Sequence, residues 1–582
     1  MKQELEQAVA AAVKDLFGVE VDAELTRPDE QFGDYATNVA LQLGKQLGKN
    51  PREIAEQLRG RLASDGQFAS VTVAGPGFLN LKLTDEKLIA ALRSEPAKPL
   101  AGESWVVEYS CPNAFKELHT GHLYNTIAGD VLARLLERAG ADMHRTSFGS
   151  DVGLNVGRCM WGILHELGGE NPDALSKVSD DPLERANWLS KCYVAGATIY
   201  EEDDAAKQQI IALNQAVYRI HAENDHDSPL ARIYWKCRQW SFDYFDAFYK
   251  LIKVDAMRYY PESETTERGL RTVREQLAKG LLEESEGAVV FHGDESEHLH
   301  TRVFITSKGL PTYETKDVGV ILAEQEEYNF DHRVLITGND QTEYMRVVFA
   351  AMDTFFPGIG DKMTHLTNGT VRFGDGKKMS SRLGNVSRAI DVVTTVRERA
   401  IEMLDDQNLL DDITLGAIKY EFLKYRLGGD IAFDVNESVS LQGNSGPYLQ
   451  YAHARARSIL AKSPDSGHSE QSEESTLEQI LHSVQDDGEG TRGDGGLQAD
   501  ERSLLRKITE YTEVVDKATV ELMPHHICTY LYELAQKFNQ FYEHNRVIGD
   551  ERETVRLALV GRYADTLKNG LGLLGITAPD RM

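Results

Sequence analysis

Two histidines flank a Thr-Gly pair at His119-Thr120-Gly121-His122, a spacing suited to phosphate chemistry. A β-rich run, Trp105-Val106-Val107-Glu108-Tyr109, precedes them, and from His122 onward Leu123, Ile127, Val131, Leu132 and Leu135 recur at helical spacing. The histidines therefore fall where a loop meets a helix N-terminus. Such a terminus and the imidazole N–H groups are donors toward phosphate oxygens, and a residue without a Cβ lets an adenine ring approach the backbone. Alone, the same four residues also suit surface histidines or part of a zinc site. The second candidate is far downstream, in Gly376-Lys377-Lys378-Met379-Ser380-Ser381-Arg382-Leu383-Gly384-Asn385. A lysine is a mobile point charge for pyrophosphate and flanking glycines supply hinges, so this loop can close over a triphosphate. Alone, such a loop is more often only a solvated basic one.

The elements that must position these residues can be read from hydrophobic spacing. Strand, loop and helix around 105–135 form the start of a nucleotide-binding α/β unit. Val303-Phe304-Ile305 and Val334-Leu335-Ile336 have the length of buried parallel strands, and the interval from about 158 to 285 reads as a helical insertion splitting the sheet. Upstream, Leu5, Val9, Val13 and Leu16 mark a helix, and Val71-Thr72-Val73 leads through Gly75-Pro76-Gly77 to Phe78-Leu79-Asn80-Leu81, so residues 1–98 read as an α+β module. Pro96-Ala97-Lys98-Pro99 is the expected linker. The α/β unit spans 99–395, and from 396 to 582 amphipathic helices predict a bundle. Inside it, 463–500 is acidic and rich in Gly and Ser, too poor in apolar residues to offset ordering, and reads as a flexible insertion with at most a short helix near Leu477 to Leu481.

At 582 residues the chain exceeds one hydrophobic core. It has no apolar run long enough for a bilayer, and its start is charged, which predicts a cytoplasmic protein. The five cysteines lie far apart, arguing against a redox pair or zinc knuckle. A formal charge of −29 excludes a surface that is basic throughout, but RNA binding needs only a local basic stripe.

Taken in order, the two loops resemble the H-I-G-H and K-M-S-K-S signatures of class I aminoacyl-tRNA synthetases. Thr120 replaces isoleucine, and Ser381 stands where the second signature has its second lysine. Arginyl-tRNA synthetases commonly lack that lysine and carry one just before the first signature, the place of Lys116. Phe32-Gly33-Asp34-Tyr35-Ala36-Thr37-Asn38 and Ala74-Gly75-Pro76-Gly77-Phe78-Leu79-Asn80 are similar to that family's N-terminal domain, which contacts the tRNA D-loop. Val107-Glu108-Tyr109-Ser110-Cys111-Pro112-Asn113 resembles its V-E-x-S-x-P-N, and Asn444-Ser445-Gly446-Pro447-Tyr448-Leu449-Gln450-Tyr451-Ala452-His453-Ala454-Arg455 its N-x-G-P-Y-x-Q-Y-A-H-A-R. The residues from Leu567 to Met582 resemble the end of its anticodon-binding domain.

The resemblance implies a multidomain α/β plus α protein: an N-terminal α+β tRNA-binding domain, a split Rossmann-type parallel-sheet catalytic domain with a helical insertion, and a C-terminal helical bundle that binds the anticodon. It implies ATP-dependent attachment of L-arginine to tRNA(Arg) through arginyl-adenylate, with activation requiring tRNA. Lys116, His119, His122 and Lys378 would be catalytic. His119, Gly121, His122, Lys378, Met379 and Ser380 would hold ATP. A guanidinium calls for a carboxylate that accepts two hydrogen bonds and an aromatic neighbour, and Tyr313 and Asp317, four apart, match the family's pair, with Gln341 nearby. Glu108, Ser110 and Asn113 would line the pocket at the α-amino end. Asp151 aligns with the aspartate of the family's G-D-W-G, although Ser150 and Val152 depart from it, and Tyr344 stands where many members have histidine. ATP would enter with magnesium, which needs no dedicated protein ligand. No tightly bound cofactor and no membrane partner are expected, and a monomer is the family's usual state. Two alternatives stay open: another class I synthetase or nucleotidyltransferase sharing only the ATP signatures, and a synthetase-like RNA-binding or regulatory protein without catalysis.

Overall fold

Val106, Val107, Val334 and Ile336 have no solvent exposure, as expected of parallel strands covered by helices on both faces. They belong to β1 (Ser104–Glu108) and β4 (His332–Gly338), which with β2 (Asp142–Gly149), β3 (Arg258–Pro261) and β5 (Met363–Asn368) form a parallel sheet in the order β5-β4-β1-β2-β3. The order reverses between β1 and β4, so the loops leaving their carboxyl ends diverge and open a crevice where α/β sheets hold ligands. Three helices deliver residues to this crevice: α1 (Thr120–Arg138) after β1, α2 (Tyr313–Tyr328) before β4, and α3 (Thr342–Phe355) after β4. This computed structural model describes residues 1–92, 97–294, 296, 298–373, 388–404, 406–462 and 496–582. Lys378, Met379 and Ser380 of the basic loop, Pro96 of the expected linker, and the acidic stretch from 463 to 495 lie outside the described residues.

The interval 158–285 holds the helices Pro182–Glu202, Asp204–Ala222 and Pro229–Leu251, which share a hydrophobic core with Leu154–Leu167. It also contains β3, so the chain returns to the sheet before that interval ends. Val303-Phe304-Ile305 is not one of the parallel strands. It lies in an antiparallel meander of Glu283–Ser285, Ala288–Phe291 and Arg302–Ile305. Arg302–Ile305 runs antiparallel to Ala288–Phe291, which itself turns back onto Glu283–Ser285 through Glu286 and Gly287, both at positive φ (51° and 78°) as in a tight hairpin turn.

In the N-terminal unit, Leu5, Val9 and Val13 are fully buried on the helix Lys2–Phe17, while Leu16 is 39% exposed and Ala12 completes the buried face. Val71 and Val73 pair with Leu81 and Leu79 in a three-stranded antiparallel sheet. The C-terminal unit is built on Leu410–Leu423, Gly446–Leu460, Ala499–Thr509, Tyr511–Glu521, His525–His544 and Glu553–Leu573, with a short strand, Ile431–Phe433, pairing to Val371–Phe373. These helices carry the N-terminal unit through ion pairs: Arg502 reaches Asp34 (2.7 Å) and Asp85 (3.0 Å), Arg27 reaches Glu513 (2.7 Å), and Lys537 reaches Glu30 (3.0 Å). Asp34 and Tyr35 of the Phe32–Asn38 motif are thus buried in a domain contact, leaving Phe32 exposed there and Phe78 exposed in the Ala74–Asn80 motif. Gln450 and His453 likewise turn inward, donating to the Thr577 carbonyl and bonding that of Pro579, and so strap the chain's end to its helix. All five cysteines are free, four of them buried. Among the described residues, no helix is long and apolar enough to cross a membrane.

Candidate active site

The turn at 119–122 closes on itself. The His119 N–H donates to His122 Nδ1 (3.2 Å) and the His122 N–H donates to His119 Nδ1 (3.3 Å), a reciprocal cap made by two imidazoles at the start of α1. The rings stack with centroids 3.7 Å apart. Gly121 has a reason beyond access for adenine: a Cβ there would sit 2.9 Å from the His119 ring. Burial, reinforced by Lys116, lowers His119 to about 4. Burial, His119 and Lys116 push His122 well below the ordinary imidazole value. Both rings are therefore neutral at neutral pH. Because each Nδ1 accepts, each proton resides on Nε2, and both histidines point a fixed N–H donor away from the cap.

Lys116 precedes this turn in a loop of unusual backbone, with Ser110, Cys111 and Phe115 at φ 68°, 45° and 66°. Side chains hold it there. Ser241 accepts from the Phe115 N–H (2.9 Å), Ser190 from the Glu117 N–H (2.7 Å) and Tyr244 from the Leu118 N–H (3.1 Å), all three on helices of the 158–285 interval. Those helices thus set the position of the cation. Burial lowers the Lys116 ammonium, with no carboxylate among the described residues to oppose it, and the group lies 5.5 Å from the Tyr193 ring centroid. On the far side of the undescribed basic loop, the Ala389 N–H donates to the Leu118 carbonyl (2.9 Å), Arg388 bridges His119, and the Arg388 side chain pairs with Glu117 and Asp391. From Arg388 onward the chain is therefore anchored on the histidine turn.

At the carboxyl end of β1, Ser110 is buried, its hydroxyl engaged by Tyr249 (2.7 Å) and Thr126 (2.8 Å), and its N–H donates to Asn125 (2.6 Å). Asn125 also donates to Ile336 and Asn368, tying β1 to β4 and β5. Asn113 accepts from the Ser150 N–H (3.3 Å). Glu108 is buried against Arg333, which also binds Glu324, itself held by Thr146. Burial raises Glu108 above the usual carboxylate range, opposed by Arg333 and reinforced by Glu324 and Asp317. Glu108 and Glu324 thus share one guanidinium, with Asp317 near enough to feel its charge, so acidic groups outnumber basic ones here and favour a further cation.

Tyr313 opens α2 and is 67% exposed, with Asp317 one turn on. Gln341 leads into α3 and is exposed, and Tyr344, three residues later, donates its hydroxyl to Asp317. Burial raises Asp317 to about 6 against the pull of Tyr344 and Arg333. Asp151 accepts from Arg238 (2.7 Å) and from the Ser263 N–H and hydroxyl, and is fully buried. Its carboxylate fastens β2 to the helices beginning at Pro229 and Glu262. No local pattern marks Asn125, Ser190, Ser241, Tyr244, Glu324 or Arg333, because each acts through a contact remote in sequence. Among the described residues, no cluster of three or more His, Cys, Asp or Glu is arranged to hold a metal ion.

Three sequence-family profiles match in series. They are described as the arginyl tRNA synthetase N terminal domain over residues 3–83, tRNA synthetases class I (R), catalytic domain, over 89–434, and the DALR anticodon binding domain over 449–582. An arginine–tRNA ligase of Limosilactobacillus reuteri is 30% identical and one of Phocaeicola vulgatus 27% identical, each over 100% of both chains. The structure of Thermus thermophilus arginyl-tRNA synthetase aligns over 100% of both chains with a TM-score of 0.77 at 24% identity, a likeness of fold.

Proposed function

The chain belongs to the arginyl-tRNA synthetase family and is an arginine–tRNA ligase, and from that premise we propose how its residues carry the reaction. ATP is a substrate, as class I membership entails, and it enters with magnesium held through phosphates and water. The arginine carboxylate attacks the α-phosphate, pyrophosphate leaves, and the terminal ribose hydroxyl of tRNA(Arg) then takes the acyl group from arginyl-adenylate, releasing AMP.

The observation that carries this reading is the reciprocal histidine cap. It fixes both Nε2 protons before substrate arrives, so His119 and His122 donate to phosphate oxygens without reorganising in the transition state. Lys116 supplies charge to the leaving pyrophosphate together with Lys378, while Gly121, Met379 and Ser380 pack the nucleotide. Asp317 accepts the substrate guanidinium, Tyr313 covers it, and Gln341 adds a polar contact. The carboxylate surplus around Arg333 favours a cationic side chain there. Glu108, Ser110 and Asn113 define the α-amino end, Ser110 by fixing the loop since its hydroxyl is already engaged.

The same reading takes residues 1–98, 99–395 and 396–582 as tRNA-binding, catalytic and anticodon-binding units of a cytoplasmic monomer that activates arginine only with tRNA bound. Gel filtration tests the monomer. Charging of total tRNA with each of the twenty amino acids, and ATP–pyrophosphate exchange with and without tRNA(Arg), test the rest. Arginine alone is expected to be charged, with exchange dependent on tRNA. Charging of another amino acid would overturn the arginine-site assignment, and strong exchange without tRNA would overturn the tRNA requirement.

A further inference from the structure

Among the described residues Asp317 has one side-chain hydrogen-bonding neighbour from another element, and it is an uncharged one. Tyr344, on the first turn of α3, crosses to α2 and donates its hydroxyl to Oδ2 of Asp317. The Tyr344 ring packs on the core of the sheet's second face, with the Arg302 guanidinium 5.8 Å from its centroid and that guanidinium 3.8 Å from Glu314. We propose that Tyr344 is a positioning residue for arginine: its hydroxyl fixes the plane of the Asp317 carboxylate so that both oxygens meet the substrate guanidinium as a fork. The inference rests on Asp317 as the guanidinium acceptor.

The chemistry follows from lone pairs. Each carboxylate oxygen has two, so Oδ2 accepts from Tyr344 on one and keeps the other for the substrate, while Oδ1 is engaged by no described side chain. A lysine or arginine in the place of Tyr344 would also orient Asp317, but would cancel the charge that the substrate needs. A phenol orients without neutralising. Burial keeps the Tyr344 hydroxyl protonated, its pKa displaced well upward, so the donor persists across the working pH range.

The groups facing Asp317 are Tyr344 from α3, Arg333 from β4, Glu108 from β1, and Glu314 and Lys316 on α2 itself. Two of these are carboxylates, and Lys316 is paired with Glu262 at 2.5 Å. Tyr344 and Arg333, with a smaller pull from Lys316, thus hold the Asp317 carboxylate ionised in a site that burial makes unfavourable for charge.

The test compares Y344F, Y344H and D317N in the full-length enzyme by steady-state aminoacylation of tRNA(Arg), with arginine varied from pH 5.5 to 8. Y344F is expected to raise the arginine KM about 10- to 100-fold, the loss typical of a hydrogen bond to a charged group. It should leave kcat and the ATP KM within about threefold of wild type and move the pH below which the arginine KM climbs upward by about one unit. Y344H retains an N–H donor and should recover most of the affinity. A fluorinated tyrosine at 344 keeps the volume with a stronger donor and should move the same pH downward, so the proposal remains testable if Y344F does not fold. D317N separates the two levels. If D317N keeps the wild-type arginine KM, Asp317 is not the guanidinium acceptor and the underlying reading fails. If D317N loses arginine while Y344F matches wild type in KM and pH profile, the role of Tyr344 alone is overturned.

Discussion

Replacing Lys116 by methionine should separate catalysis from stability more cleanly than any other change in the site. The methylenes are largely retained and only the ammonium is lost. A unit charge about 4 Å from a developing phosphate charge, at an effective dielectric of about 20, is worth roughly 4 kcal/mol. Lys116 is only partly buried, so solvent screening reduces this to about 3 kcal/mol, or roughly a hundred- to two-hundredfold in rate. In the ligand-free enzyme the same ammonium is a liability: burial disfavours its charge and no carboxylate among the described residues opposes that effect. K116M should therefore unfold at the wild-type temperature or slightly above it. The assay is arginine-dependent ATP–pyrophosphate exchange in the presence of tRNA(Arg), with thermal unfolding alongside. The expected pattern is a rate at saturating substrates lower by about two orders of magnitude, an arginine KM within about threefold of wild type, and an undiminished melting temperature. K116R should restore part of the rate. Exchange near wild type would refute the assignment of Lys116 to the phosphates, and a large fall in melting temperature would refute the view of an uncompensated cation.

Ser241→Ala removes the acceptor of the buried Phe115 N–H at a residue held at φ 66°; it should cost about 1–3 kcal/mol locally and lower kcat/KM for ATP at least tenfold, and an unchanged kcat/KM would exclude the hydroxyl-shaped loop. Arg502→Ala leaves Asp34, which has no solvent exposure, without its strongest partner. About 3 kcal/mol of docking should be lost, appearing as faster proteolysis between the N-terminal unit and the sheet domain and a raised KM for tRNA with the arginine KM unchanged. The pH dependence carries two signs. His119, lowered to about 4, is neutral when folded, while an unfolded imidazole titrates near 6.5, so its contribution to stability is complete above about 6.5 and is lost as pH falls toward 4. Asp317, raised to about 6, must ionise to bind arginine, so the arginine KM should rise about tenfold per pH unit below 6 while kcat between pH 6 and 8 stays nearly flat; a KM independent of pH down to 5 would contradict it.

The sequence by itself determined the fold class and the ATP signature. Hydrophobic spacing is a local property, and from it the strand at 104–108, the helix from Thr120, the strand at 332–338 and the C-terminal helices could all be read. The ordered motifs added the family, since their residues are contiguous along the chain. Pairing was not legible: the same apolar run that suits a parallel strand became, at 302–305, part of an antiparallel meander because its partner is the strand Ala288–Phe291 rather than a strand of the parallel sheet. Tertiary structure alone decided the state of the site. It folded the two histidines onto each other, giving neutral rings with fixed Nε2 protons, placed hydroxyls from distant helices under the Lys116 loop, and set Tyr344 on Asp317. It also turned Asp34, Tyr35, Gln450 and His453, parts of conspicuous motifs, toward other domains or the chain's end. The physical reason is the same in each case. Spacing along a chain sets which face a side chain occupies, but protonation, orientation and charge balance depend on burial and on partners that arrive from elsewhere in the sequence.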